Sequence, residues 1–253
     1  SEPDEPLFRY LTPRRHSSIY LKDIETLASS RELLERFERD ERFFAVLPRD
    51  RLAQVNFEVR QRTKRNVHVL HARSERLLLI SNQLDEGVED ENFVAAAIFE
   101  EPPKIPFPTA WKDDSGQDIH ATFDDALELL GYGLDRPGDV PSYSRGEEIE
   151  LRLYFRVLKH VPSSQQIFIH IDARGNRING DHYPMDRAFP TTYWLPGDVV
   201  VDRKKMKVGA YAQTGVYTIN FGFFSGSKRM KVAPKEADAG RNRVTIGKLE
   251  VVP

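Results

Sequence analysis

Six residues between positions 172 and 202, three carboxylates, an imidazole and two aromatic rings, could act together: Asp172, Asp181, His182, Tyr183, Trp194 and Asp202. Carboxylates beside aromatic rings suit sugar recognition, because hydroxyls need paired acceptors and the apolar face of a sugar stacks on a ring. A calcium ion held by carboxylate and carbonyl oxygens is a variant of the same idea; no other cofactor is expected. A plainer reading also fits. Asp172 and Asp181 flank turn residues, where aspartate is common, and Trp194 before Pro196 and Gly197 suits a core plug. No catalytic group is expected, since the chain has no G-x-S-x-G, no H-E-x-x-H, no phosphate-cradling glycine loop and no cysteine pair. His68 and His71 are three apart on a strand pattern, which turns them to opposite faces and argues against shared metal ligation. Asp118 and His120 could share a face, but they border the proline-rich stretch and read as solvated polar residues.

Composition narrows the partners. The chain has 253 residues, with 37 basic side chains against 39 acidic ones and a formal charge of -2, so no global positive field would draw in nucleic acid. The local cluster Arg60, Arg62, Lys64 and Arg65 follows an amphipathic pattern and reads as a solvated helix end with cations near its negative pole. There is no cysteine, which excludes disulfides and thiolate chemistry but leaves the compartment open. No apolar run approaches the ~18 to 20 residues that span a bilayer, and no signal peptide opens the chain. The start, Ser1 to Pro6, reads as a boundary inside a longer protein.

The elements that must position these groups fall into two blocks, an α+β organisation. Residues 1–100 mix periods, as a small α/β domain would. Ser29 and Glu32 form a capping box before Leu33, Leu34 and Phe37, and Leu21, Ile24 and Leu27 suggest a further helical turn or two. Phe43 to Leu47 reads as a strand, and Pro48 opens a helix with Leu52, Val55 and Val59 on one face. Strand signals return at 67–70, 77–80 and 93–99. Pro102, Pro103, Pro106 and Pro108 then mark 101–120 as a proline-rich linker, apolar enough at Ile105, Phe107 and Trp111 to lie on a domain surface. Residues 121–253 have period two, the mark of an antiparallel β-sandwich. Ile149, Leu151, Leu153 and Phe155 alternate with polar residues, as do Ile167, Ile169 and Ile171, and Ile219, Phe221 and Phe223. The last strand changes phase between Ile246 and Leu249, which predicts a bulge near Gly247 and Lys248.

The second block also carries an ordered set of landmarks. They are Leu129-Leu130-Gly131-Tyr132, Arg145-Gly146-Glu147, Phe168 to Asp172, Thr191 to Gly197, Val201-Asp202-Arg203, Gly215-Val216-Tyr217 and Phe221-Gly222-Phe223. Over about 130 residues this resembles the C-terminal extracytoplasmic β-sandwich of bacterial polytopic glycosyltransferases of the GT-C class, relatives of the protein mannosyltransferases and the lipid A aminoarabinose transferases. The stretches 10–21 and 74–82 are similar to the segment that follows the last membrane span in such proteins. The resemblance implies a soluble accessory region on the periplasmic face of the inner membrane. It would be joined to a membrane-embedded part that uses a lipid-linked sugar donor, and it would assist recognition of a glycan or protein acceptor. It carries over no catalytic residue, because the family's acidic residue and polyprenyl-phosphate-sugar site belong to the membrane part. The alternative is a free periplasmic or secreted carbohydrate-binding or adhesion module. A stand-alone hydrolase, with carboxylates paired only by folding, is a third reading.

Overall fold

The computed structural model describes residues 8–11, 24–27, 29–112 and 115–253, and the chain divides into two compact units, Ser1–Ala96 and Ala97–Pro253. Strand is its predominant regular structure, 41% against 16% helix.

The first unit holds strands β1 (Phe8–Leu11), β2 (Ile24–Leu27), β3 (Phe44–Pro48), β4 (His68–His71) and β5 (Leu77–Ser81), with helices α1 (Ser30–Phe37) and α2 (Leu52–Thr63). The strands form one sheet in the order β2-β1-β3-β5-β4, and each pair is antiparallel. Helix α1 starts as its capping box requires: the Glu32 amide donates to Ser29 Oγ at 3.3 Å. Its buried face, Leu33, Leu34 and Phe37, reaches Phe43, and the two phenyl rings meet edge-on at 4.8 Å. Two expectations need correction. Ile24–Leu27 is a strand paired with β1, not helical turns, because so short an apolar pattern fits either period and the sheet edge decides; Leu21, with 12–23, lies outside the described residues. The strand expected over 93–99 survives only at Ile98–Phe99. Asn92 Oδ1 accepts the amides of Val94 and Ala95 at 3.0 and 2.9 Å, which curls the backbone into a 3-10 turn at Ala95–Ala97.

The second unit begins with short strands: β6 (Ile98–Phe99), β7 (Phe107–Pro108), β8 (Trp111–Lys112), β9 (Asp118–Ile119) and β10 (Thr122–Phe123). Longer ones follow: β11 (Leu127–Leu134), β12 (Ser142–Ser144), β13 (Glu148–Val157), β14 (Gln166–Ala173), β15 (Asn176–Asn179), β16 (Val199–Lys207) and β17 (Gly215–Ser225). Strands β18 (Lys228–Arg229), β19 (Val232–Ala233) and β20 (Val244–Val252) complete the chain. A seven-stranded sheet runs β19-β10-β11-β13-β16-β6 with β7 added beside β11, and a six-stranded sheet runs β12-β20-β17-β14-β15 with β18 added beside β17. The two sheets share an aromatic core, as in a sandwich: Phe123 and Phe155 from the first meet Phe223 from the second at 5.0 and 5.1 Å. The phase change in β20 is a register shift that leaves Ile246 as the extra residue beside Gly247.

The stretch read as a linker lies inside this second unit. β7 pairs with β11, β8 with β9, and Phe107 stacks on Tyr132 at 4.9 Å. Phe99 and Ile105 cover the outer face of the seven-stranded sheet, packed on Leu130, Tyr154, Val199 and Val201. That cover explains why β16 is buried on both faces at 199–202 rather than alternating. Gly131 permits it, because a Cβ there would stand 2.4 Å from the Phe107 carbonyl oxygen and 2.9 Å from Pro108 Cα, both backbone. Gly131→Ala should therefore lower unfolding stability by ~1 to 3 kcal/mol. Hydrogen exchange should speed up first at the Thr109 amide, which donates to the Leu130 carbonyl at 3.1 Å. Unchanged exchange at Thr109 would contradict this role for Gly131.

Candidate functional site

The six candidate residues separate into three environments. Trp194 is 0% exposed, and its rings lie among Phe155, Phe189 and Phe223. Its Nε1–H donates to the Phe189 carbonyl at 3.1 Å. This is the core plug, not a sugar platform, because a ring with no exposed face cannot stack on a ligand. His182 and Asp202 are also interior, with side chains 2% and 1% exposed. Asp172 lies on the outer face of the six-stranded sheet, and its carboxylate takes both Nε and Nη2 of Arg177 at 2.7 and 3.2 Å. Tyr183 is half-buried under the Arg187 guanidinium, 3.9 Å from its ring centre. Asp181 lines a cleft that also gathers other polar and aromatic groups.

The interior pair is tightly specified. The His182 backbone exchanges two hydrogen bonds with Ile167 of β14, which fixes the ring beneath the six-stranded sheet. Nδ1–H donates to the Gly180 carbonyl at 2.8 Å, and Nε2 lies 2.8 Å from Asp202 Oδ2. A carbonyl oxygen can only accept, so Nδ1 carries the proton that faces it, while Nε2 faces the carboxylate. Asp202 Oδ1 accepts the Met185 amide at 3.0 Å, so both carboxylate oxygens are used. Just there the backbone turns left-handed for three consecutive residues, Met185, Asp186 and Arg187, with φ of 48, 51 and 78°. Such φ values are uncommon outside glycine, and a surrounding structure must hold them. The Asp202 bond to Met185 and the Lys204–Asp186 ion pair at 2.8 Å do so.

The cleft lies on the outer face of the six-stranded sheet, encloses about 250 Å³, and is lined by Phe168, His170, Asp181, Phe224, Ser227 and Arg229 among others. Strand period explains its make-up. Ile167, Ile169 and Ile171 turn inward to 0% exposure, so Phe168 and His170 turn outward. Phe168 lies across Gly222, where a Cβ would meet its ring at 2.6 Å, and Arg229 covers the ring's other side at 4.1 Å from its centre. Asp181 Oδ1 accepts the Ile169 amide at 3.2 Å and stands 3.3 Å from His170 Nε2. Arg229 donates Nη1 to the Arg241 carbonyl at 2.8 Å and forms no ion pair among the described residues. The cleft therefore offers a carboxylate acceptor, a guanidinium donor, an imidazole and a phenyl edge within one small volume.

Burial is the main force on His170 and pushes its imidazole below the ordinary value; Arg177 adds to this, Asp181 and then Asp172 oppose it, and Arg229 adds a further depression. The ring is neutral at neutral pH and can serve as both donor and acceptor. Sequence reasoning had not selected Phe168, His170, Phe224, Ser227 or Arg229. A signal for two of them was present: outward positions of a one-face-buried strand are usually charged, and here they are Phe168 and His170. Arg229 had none, because only the β17–β18 turn at Gly226 and Ser227 brings it onto β14. Among the described residues no three His, Cys, Asp or Glu side chains stand together as a metal would need, and no helix is long and apolar enough to cross a membrane. The chain matches no protein-family model and no curated protein.

Two outcomes follow. Asp202→Ala strands a buried imidazole and the Met185 amide, and should cost ~3 to 5 kcal/mol in a denaturant titration. Asp172→Ala, which loses a partly exposed pair, should cost at most ~1 kcal/mol; equal effects would refute the distinction between interior pair and surface pair. His170 should also make stability fall with acid. Its folded value lies below the 6.5 of an unfolded histidine. The unfolded chain therefore binds the extra proton first, so stability drops as pH falls through 6.5 and levels off below the folded value. His170→Gln should flatten that part of the profile, and an unchanged slope would contradict the assignment.

Proposed function

We propose that this chain is a recognition module that binds a saccharide, and that it serves as the extracytoplasmic accessory region of a membrane-bound glycosyltransferase using a lipid-linked donor. In this reading a small N-terminal α/β domain accompanies a β-sandwich, and chemistry takes place in the membrane-embedded part. The observation that carries the recognition reading is the cleft at His170, Asp181 and Arg229. A carboxylate and a guanidinium within hydrogen-bonding range of the same small volume can hold neighbouring hydroxyls, while the Phe224 edge offers an apolar wall. The membrane-enzyme reading rests on the ordered landmarks of the second half, from Leu129 to Phe223.

The test is calorimetric titration of the purified chain with oligosaccharides of mannose, glucose and N-acetylglucosamine. At least one should bind, and Asp181→Ala with Arg229→Ala should weaken it by about tenfold or more, worth about 1.4 kcal/mol, with an unchanged circular dichroism spectrum. Absence of binding would refute the recognition reading. Turnover of a polyprenyl-phosphate sugar by the purified chain, lost on mutating one of its own carboxylates, would refute its accessory role. The gene's full reading frame should encode membrane spans before Ser1; a cleavable signal peptide with no spans would favour the free carbohydrate-binding module instead.

A further inference from the structure

A second cleft, of about 330 Å³, opens at the β15 edge of the sandwich, lined by Asn176, Asn179, Lys207, Tyr211 and Tyr217 among others. This falls at the lower end of the ~300–1,000 Å³ typical of small-ligand sites. Tyr211 is 96% exposed, far above any other large apolar side chain among the described residues. A ring so placed gains nothing from burial, although aromatic side chains owe most of their stabilising effect to it. Nor is it carried on a loose tip. At one end of its loop the Val208 amide donates to Glu147 and the Val208 carbonyl accepts from Gly146, both at 2.9 Å. Inside the loop the Ala212 amide donates to Gly209 at 3.0 Å, and Arg145 Nε donates to the Ala212 carbonyl at 2.8 Å. At the other end the Tyr217 hydroxyl donates to the Gln213 carbonyl at 2.8 Å. The turn is anchored on both sides, so the ring is presented on a fixed support.

The neighbouring polar groups are uncommitted. Among the described residues, the Asn176 and Lys207 side chains form no hydrogen bond or ion pair. Asn179 uses only Oδ1, which accepts the Asp181 amide at 3.3 Å, leaving both amide hydrogens of Nδ2 without an internal acceptor. An open aromatic face beside amide and ammonium donors, with no carboxylate lining the cleft, suits a neutral sugar ring: the C–H face stacks on the phenol and the hydroxyls take the donors. We propose that Tyr211, Asn176, Asn179 and Lys207 form a second saccharide-binding site, separate from the cleft at His170 and Asp181. Neither site requires the other.

The experiment is an NMR titration of the isotope-labelled chain with hexasaccharides of mannose, glucose and N-acetylglucosamine. It follows the Tyr211 ring and the side-chain amides of Asn176 and Asn179 together with the His170 ring. The expected result is saturable shifts at Tyr211, Asn176 and Asn179 for at least one probe. Tyr211→Ala and Asn179→Ala should each weaken these by about tenfold, whereas Tyr211→Phe should leave them near wild type, as stacking requires. Arg229→Ala, in the other cleft, should leave them unchanged. The ring is exposed, so Tyr211→Ala should melt like the wild type, which a denaturation curve checks. Shifts confined to His170 and its neighbours would overturn the second site while leaving the first intact. No shift at Tyr211, Asn176 or Asn179 with any probe, or undiminished shifts at the two amides in Tyr211→Ala, would overturn it as well.

Discussion

The sandwich is organised around a buried polar pair, His182 and Asp202, whose hydrogen bonds have to be satisfied inside it. Asp202 lies opposite Leu153, and Val200 opposite Phe155, so Asp202 shares the inward face of β16 with the residues that meet the aromatic core. A carboxyl group at 1% exposure is costly unless its oxygens find hydrogen-bond partners. His182 supplies one partner and the Met185 amide the other, and each imposes conditions of its own. To hold the imidazole, the Gly180 carbonyl must accept from Nδ1 and the His182 backbone must bridge to β14. To bring the Met185 amide within reach, three successive residues must adopt left-handed backbone. The pair thus links the two sheets and sets the path of residues 180–187.

That path has consequences on the surface. Once His182 is fixed inward, strand alternation turns Asp181 outward, where it caps the Ile169 amide and faces His170. The buried pair and the cleft are successive residues of one bridge, so interior electrostatics position the exterior acceptor. Gly180 belongs to the same bridge, since its carbonyl accepts from His182 Nδ1 and its amide donates to the Ile169 carbonyl at 2.8 Å. Asp202, His182 and Gly180 contact no cleft volume, yet they determine where Asp181 sits.

The sequence made the regular parts legible and the irregular parts obscure, for identifiable reasons. Period-two alternation reports a face-by-face difference in burial, and the structure has that difference over 148–153 of β13 and 169–172 of β14, whereas 167–169 of β14 and 219–223 of β17 are buried on both faces. The phase change in β20 likewise announced its bulge. Alternation is silent where both faces are covered, so the cover that 98–108 gives to β16 and β11 could not be read from the prolines that suggested a spacer. The candidate site was read as one cluster because its members are close in sequence. Strand geometry separates them: Trp194 and the His182–Asp202 pair go inside, Asp172 pairs with Arg177, and Asp181 joins His170 and Arg229, which lie 11 and 48 positions away. A carboxylate's role depends on which face it takes, and a single residue in the register decides that.

In the proposed reading, the interior is committed to holding shape and the outer surface of the six-stranded sheet to recognition. A crystal structure of the chain soaked with the oligosaccharide that binds it best tests this most directly. The account predicts sugar density against the Asp181 carboxylate and the Arg229 guanidinium, with the His182–Asp202 pair unmoved beneath. Density confined to the outer face of the seven-stranded sheet, or a ligand that opens the interior pair, would contradict it.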